Sequence, residues 1–357
     1  NEYNSGFNNY THEYAVPALH ITLADKGDAE LQGLKIHTNT IDGKNHLALG
    51  DSSIKLNKFS LLWKEGVSYN VKLNELVNLV TDLQIGAFIN PTGTIAPSKI
   101  IVSDLQFDTK TNEADNWVNS EGTFKFGKMI YGNDQYGPLN INIAAEHLDA
   151  KSLLAIKKKL AEVAATEMPE DKIQEALLQT AKTDASGLFT NNPILKIKAF
   201  TFKMPQGTIN VTGQLGFTNL TATEMNDFTS MIRKTNADFD VAVPKTLLEQ
   251  LAISQASNLF SVNKEDLAAG RASLDDINET LRLMVDGTVS SMQSEGYLTL
   301  KNNMVNTHIN LSNNQLKLNG KIFKTESEPE FDDSDMTSST PANTAASTPT
   351  ATTKPAH

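Results

Sequence analysis

Residues 194–217 read ILKIKAFTFKMPQGTINVTGQLGF, and their alternation decides the fold class. Leu195, Ile197 and Ala199 alternate with Lys196 and Lys198; the phase slips at Phe200 and resumes through Phe202 and Met204, as a β-bulge makes it do. Pro205-Gln206-Gly207 supplies a turn. The return arm sets Ile209, Val211, Leu215 and Phe217 against Thr208, Asn210, Thr212 and Gln214, the pattern of an antiparallel strand with one buried face. Such a hairpin builds a sheet and carries no chemistry.

Just before the hairpin, Leu139 to Ala144 predicts a strand. Asp149 then serves as the N-cap of a helix with Leu153, Ile156, Leu160 and Val163 on one stripe. Pro169 opens a second helix that carries Ile173, Leu177 and Ala181 as far as Gly187. Lys157, Lys158 and Lys159 form a basic run on this pair, read as a solvated helix face, with a partner-binding patch as the alternative. After the hairpin, Thr223 is placed to cap a helix with Met225, Phe228 and Ile232 inward. Ala237 to Val243 alternates as a strand and gives way at Pro244 to a helix with Leu247, Leu248 and Leu251. The passage ADFDVAVPKTLLEQLA echoes LNINIAAEHLDAKSLLAIKKKLA, a degenerate repeat of one strand-then-helix unit. Asn263 and Asp266 form a capping box for an amphipathic helix with Leu267, Leu274, Ile277, Leu281 and Met284 inward, and closing strands end at Leu318 to Phe323.

Toward the N-terminus the pattern is a meander of short strands. Leu19, Ile21 and Leu23 alternate, as do Leu34 and Ile36, Leu47 and Leu49, and Ile54 and Leu56; further strands run over 59–63, 67–73, 85–89, 100–108 and 122–129. A short helix is expected around residues 73–80, and the first fourteen residues read as irregular. From Lys324 the composition turns acidic and then Ser/Thr/Ala/Pro-rich, too poor in apolar residues to offset the entropy of ordering. The expected fold is α+β: a predominantly antiparallel, extended and curved meander with amphipathic helices packed on it and a disordered C-terminal tail. The expected organisation is a strand-rich part over 1–138, a helix pair with a hairpin-centred part over 139–323, and the tail over 324–357.

Composition bounds the function. The chain has 357 residues, enough for a substantial core, and no cysteine, which excludes disulfides, thiolate metal sites and cysteine nucleophiles. The absence also suits an oxidising envelope compartment. A formal net charge of −11 disfavours a nucleic-acid partner. No apolar run reaches membrane-span length, and because the chain starts at Asn1 rather than Met, any signal or anchor is expected to precede it.

Catalytic patterns are missing. The seven histidines (His12, His20, His37, His46, His147, His308 and His357) form no metal-binding pair, and joining His20, His37 and His46 at one ion would need three separate strands. There is no Gly-x-Ser-x-Gly elbow and no Gly-rich phosphate loop. Asp275-Asp276 reads as solubilising charge. Asp332-Asp333-Ser334-Asp335 lacks the central Gly and closing Glu of a calcium loop. No cofactor, metal or catalytic residue is expected. The apolar stripe Phe200, Phe202, Ile209, Val211, Leu215 and Phe217 is either core under helices or, where helices leave it open, a hydrophobic ligand site.

The passages GLFTNNPILKIKAFTFKMPQGTINVTGQL, MIRKTNADFDVAVPKTLLEQL and LSNNQLKLNGKIF together resemble the YdgA-like family of bacterial envelope proteins, a domain of unknown function, from about Leu139 to Phe323. That resemblance implies a single N-terminal anchor in the inner membrane and a periplasmic body, and at fold level a likeness to AsmA-type proteins, whose curved sheet offers an apolar groove to lipid. The expectation is a non-enzymatic envelope protein binding lipid or another envelope protein. A structural protein acting through protein contacts is the second reading. A hydrolase is disfavoured, since it would need carboxylates or histidines converging in a cleft.

Overall fold

Alternating stretches need partners for their backbone groups, and here they find them almost entirely in their own chain neighbours. The computed structural model describes residues 2–3, 9–22, 26–64, 99–166, 170–259 and 274–323. The chain divides into two units, Asn1–Phe323 and Lys324–His357; every described residue belongs to the first. Its strands are β1 (Glu2–Tyr3), β2 (Asn9–Thr22), β3 (Gly27–Asp42), β4 (Ala48–Trp63), β5 (Lys99–Ala114), β6 (Trp117–Phe126), β7 (Lys128–Tyr131), β8 (Asp134–Tyr136), β9 (Leu139–Asp149), β10 (Ile194–Met204), β11 (Gly207–Phe217), β12 (Thr235–Pro244), β13 (Thr299–Lys301), β14 (Met304–Ser312), β15 (Gln315–Leu318) and β16 (Lys321–Ile322). Among the described residues the helices are α1 (Ala150–Ala164), α2 (Glu170–Lys182), α3 (Gly187–Thr190), α4 (Phe228–Lys234), α5 (Lys245–Leu259) and α6 (Leu274–Ser294).

All the described strands join one sheet in the order β1-β2-β3-β4-β5-β6-β9-β10-β11-β12-β14-β15-β16, with β7 against β5, β8 against β7 and β13 against β14. Each ladder is antiparallel. The sheet crosses position 138 without a break, because β6 ladders with β9. The central hairpin has the expected bounds, and its register shifts between Ile197 and Phe200, where the sequence phase slips. Several tight turns use pairs of left-handed residues, as two-residue hairpins of the primed type require: Asn302-Asn303, Asn313-Asn314 and Asn319-Gly320.

The long N-terminal strands share an interruption that keeps one face apolar. Pro17, Gly33, Asn57 and Asp104, one in each of β2 to β5, and Gly127, between β6 and β7, all drop out of the ladders. Gly33 and Asp104 take left-handed φ values of 67° and 56°. The Asn57 side chain lies where a Cβ on Gly33 would sit, and that of Asp104 does the same for Gly127. Across this crease the pleat inverts. Val102 and Phe107 are an odd number of positions apart and would fall on opposite faces of an unbroken strand. Instead Val102 and Phe124, the latter paired with Phe107, pack into the same core cluster.

Helices dock on that apolar face in patches. Leu247 of α5 is fully buried against Phe126, Met129, Tyr131, Tyr136, Phe202 and Met204. Val289 and Met292 of α6 pack with Leu248, Leu298 and Val305. Ala150, Leu153 and Leu154 of α1 cover Val118 and Leu148, and Phe189 of α3 reaches Phe217. The opposite face is polar and laced with cross-strand pairs, among them Lys196–Glu146 at 2.5 Å, Lys198–Glu121 at 2.6 Å and Lys58–Glu30 at 2.9 Å. Those lysines are the reason the Glu121 and Glu30 carboxyls sit below their ordinary range, with hydrogen bonds from Lys198 and Lys58 the leading causes.

Several expectations are corrected. Residues 9–14 are strand, because β3 supplies a ladder partner for each. Thr223 makes no side-chain cap; it precedes a single 3-10 turn, Glu224–Asn226. The cap of α4 is Asp227, whose carboxylate accepts from the Thr229 and Ser230 N–H groups, so Phe228 becomes the first helical residue and points outward at 77% exposure. On α6, Met284 faces solvent while Val285, Val289 and Met292 pack inward. Leu160 of α1 is also exposed, although Asp149 caps that helix as expected, accepting from Ser152 N–H at 2.8 Å. The second helix stops at Lys182, and Gly187 starts the one-turn α3. The expected segments over 67–73, 73–80, 85–89 and 263–267, the tail and its Asp332–Asp335 run lie outside the described residues.

Candidate functional site: the uncovered apolar face

Registered pairing lines up one apolar side chain per strand across most of the sheet. Tyr14, Ile36, Ile54, Phe107, Phe124, Ile141, Phe200, Val211 and Val241 lie directly opposite one another in succession, from β2 to β12. Nine strands at about 4.8 Å spacing make a row about 38 Å long, more than the roughly 30 Å hydrocarbon thickness of a bilayer. Beyond the crease a second row follows the same rule: Leu19, Leu31, Phe59, Val102, Met129 and Tyr136.

None of the nine residues of the first row is buried, and Tyr14 and Phe107 are 59% and 38% exposed. Alongside, Ile143 is 41% and Leu195 46% exposed. Cover is local. The α5 patch closes one end of β6 to β11 around Phe126 and Phe202, while the α1 patch closes the other around Val118. Between them runs an apolar strip over β9 to β11, which widens over β2 to β5, where Leu19, Ile21 and Tyr14 are all exposed. On β2 the Tyr10, His12 and Tyr14 rings follow one another at 5.0 and 6.3 Å. An apolar surface of this extent is where a hydrophobic ligand gains from leaving water, at roughly 25 cal/mol per Å².

The hairpin residues read from the sequence divide between the two possibilities raised for them. Phe202 is 5% exposed and belongs to the core under α5, with Phe200 and Ile209 packed at its margin. Phe217 meets the Phe189 ring at 6.3 Å. Val211 and Leu215 stay half-buried, and Leu215 pairs with the exposed Leu195. Sequence reading missed the β2 to β5 half of the face, because the crease inverts its pattern midway along each strand.

Other chemistry is sparse. His20, His37 and His46 each face a different carboxylate, Asp28, Glu13 and Asp42, at 3.4, 3.1 and 3.9 Å. Among the described residues no group of three His, Asp or Glu side chains is placed to hold a metal ion. Asp275 and Asp276 are exposed in the first turn of α6. His308 lies on the polar face between Asp240 and Asp238, at 3.0 and 3.4 Å, and the Asp240 hydrogen bond leads in raising its pKa above the ordinary value. Burial pushes the Tyr136 phenol up to about 12, which leaves it neutral in the core. Among the described residues no helix is long and apolar enough to cross a membrane.

No curated protein and no solved structure matches the chain. A family model does: the one described as a bacterial protein of unknown function (DUF945) matches residues 1–326, and the chain therefore belongs to that bacterial family.

Proposed function

We propose that this chain is a non-enzymatic cell-envelope protein that holds acyl chains of lipid against its uncovered apolar face. The observation that carries the reading is the unbroken row from Tyr14 to Val241, nine strands wide and buried at none of its positions. A core would bury such a row; a face that only met solvent would alternate differently. The resemblance to YdgA-like envelope proteins, the fold-level likeness to AsmA-type sheets and the lack of cysteine support a periplasmic location, with tethering to the inner membrane by a segment preceding Asn1.

Titration of the full chain with a fluorescent fatty-acid analogue tests the reading. Ile143→Asp and Leu195→Asp each remove a side chain worth about 1.5–3 kcal/mol of apolar contact, so each is expected to weaken the probe about tenfold. Leu283→Asp, on the exposed side of α6, leaves it unchanged. Absence of saturable binding, or equal weakening by all three variants, sinks the proposal. A second reading, assembly through protein contacts, draws on the exposed Tyr10, Tyr14, Leu19 and Ile21 of β2, the first long strand of the sheet, and predicts a concentration-dependent oligomer in light scattering.

A further inference from the structure

The polar face of the sheet carries a registered row of its own, one residue over from the apolar one. Ala15, Lys35, Lys55, Gln106, Lys125 and Asn140 lie directly opposite one another from β2 to β9, and the row runs on through Thr201 to Asn210 of β11. Eight strands at about 4.8 Å spacing make it about 34 Å long. No position in it holds a carboxylate, in a chain whose formal net charge is −11. Two clefts lie along it, each over an alanine too short to fill its place. One of about 560 Å³ sits over Ala15 and is walled by Lys35 and Lys55; Asn210 shares the other, of about 280 Å³, with Ala242, its partner on β12.

The cations of this row are unspent. Lys58, Lys196 and Lys198, elsewhere on the same face, each hold a glutamate. Lys35 and Lys55 instead stand directly opposite each other, an arrangement of like charges that costs stability. Among the described residues neither side chain makes a hydrogen bond or ion pair, nor does that of Lys125, and all three are exposed. The carboxylates in neighbouring positions are committed elsewhere, Glu13 to His37 at 3.1 Å and Asp108 to Gln106 at 2.5 Å. The carboxamides keep capacity too. Asn140 Oδ1 is buried without a hydrogen-bond partner, and Asn210 Oδ1 accepts from Thr201 at 3.1 Å, which leaves its amide nitrogen unengaged among the described residues.

A ligand that matches the row is linear, runs across the strands and carries spaced negative charge. A peptide matches badly, because it gains affinity by laddering along a sheet edge, whereas on a face the backbone groups are already spent. Nucleic acid is repelled by the acidic chain and finds no aromatic ring in the row on which to stack a base. A polysaccharide has hydroxyls that both donate and accept, as carboxamides and threonine do between them, and lysine meets acidic substituents as a mobile point charge. We propose that this row binds a linear acidic polysaccharide, with its acidic groups on Lys35, Lys55 and Lys125 and sugar hydroxyls on Asn140 and Asn210. The site lies on the opposite face from the acyl-chain row and does not depend on it.

Isothermal titration calorimetry of the full chain tests it, with a linear oligogalacturonate long enough to span the row set beside a neutral maltooligosaccharide of equal length, polyglutamate and inorganic polyphosphate. Saturable binding is expected for the oligogalacturonate alone, weakening as salt rises. Lys35→Gln/Lys55→Gln should weaken it about tenfold, the loss of two exposed charge pairs. Asn210→Asp, which still accepts from Thr201 but sets a negative charge in the row, should weaken it too. Lys172→Gln/Lys301→Gln, an equal charge change elsewhere, leaves it unchanged. Unchanged melting curves confirm that the variants fold. No saturable binding of the oligogalacturonate, equal binding of the neutral sugar, of polyglutamate or of polyphosphate, or equal loss in the control pair each overturns the proposal.

Discussion

Leu247→Ala is the perturbation that most directly asks whether α5 closes one end of the apolar face. Leu247 is fully buried, and its neighbours Phe126, Phe202 and Met204 are anchored in a laddered sheet, so they cannot relax far into the space it vacates. Leu→Ala substitutions in cores cost about 2.7–5 kcal/mol depending on how well the site collapses; a site held by strands belongs in the middle of that range, about 3–4 kcal/mol. In a unit of this size each kcal/mol moves the midpoint by about 2 °C, so the expected drop is about 6–8 °C. Thermal melting followed by far-ultraviolet circular dichroism reads it, with Leu283→Ala beside it. Leu283 is 62% exposed and should change stability by no more than about 0.5 kcal/mol. A Leu247→Ala midpoint within about 2 °C of wild type would mean that α5 does not pack on the sheet, and the coverage argued for Phe202 would fall with it.

Two further perturbations follow from the polar face and the crease. The folded pKa of His308 is raised above its ordinary value of 6.5, chiefly by the Asp240 hydrogen bond and with Asp238 also contributing, so protonation favours the folded state. That stabilisation is full below about pH 6.5 and is lost as pH rises through the folded value; His308→Gln should therefore flatten the melting-temperature profile between about pH 6 and 8, and an unchanged slope would refute the assignment. Gly33→Ala meets both a left-handed φ of 67° and the Asn57 side chain, with Cβ placed 2.4 Å from Asn57 Nδ2. The expected cost is about 1–2 kcal/mol in a urea titration, partly recovered in Gly33→Ala/Asn57→Ala, and no recovery would show that the crease is not held by that contact.

How far the sequence could be read depends on where its periodicity stays in phase. The hairpin of β10 and β11 was legible to its ends, bulge included, because a single phase slip at Phe200 leaves clean alternation on either side. In β4 the same reading breaks one strand into two: Ile54 and Leu56 point one way in phase, Phe59 and Leu61 the other, and the single strand Ala48–Trp63 reads as short pieces. The cause is a device spread over four strands and the β6–β7 junction, and no one of Pro17, Gly33, Asn57, Asp104 or Gly127 announces it alone. Likewise β2 hides its apolar side behind His12, a polar residue at an apolar position, and its partner Thr38 comes from a distant stretch. Exposure of Phe228 was illegible because helical spacing fixes neighbours on one helix and says nothing of whether another element lies over them. The candidate face was half visible for the same reason: the sequence names Phe200, Val211 and Leu215, but only the tertiary register aligns them with Ile141, Phe107 and Tyr14.

Native mass spectrometry of the full chain, gently released from bacterial membranes and compared with Ile143→Asp/Leu195→Asp, bears most directly on the apolar face. Wild type should carry adducts whose masses are those of acyl-chain lipids, identified after extraction, and the variant should carry few or none while keeping the wild-type melting curve. A bare-chain mass for the wild type under conditions that preserve lipid complexes, or adducts retained in full by the variant, would contradict the account.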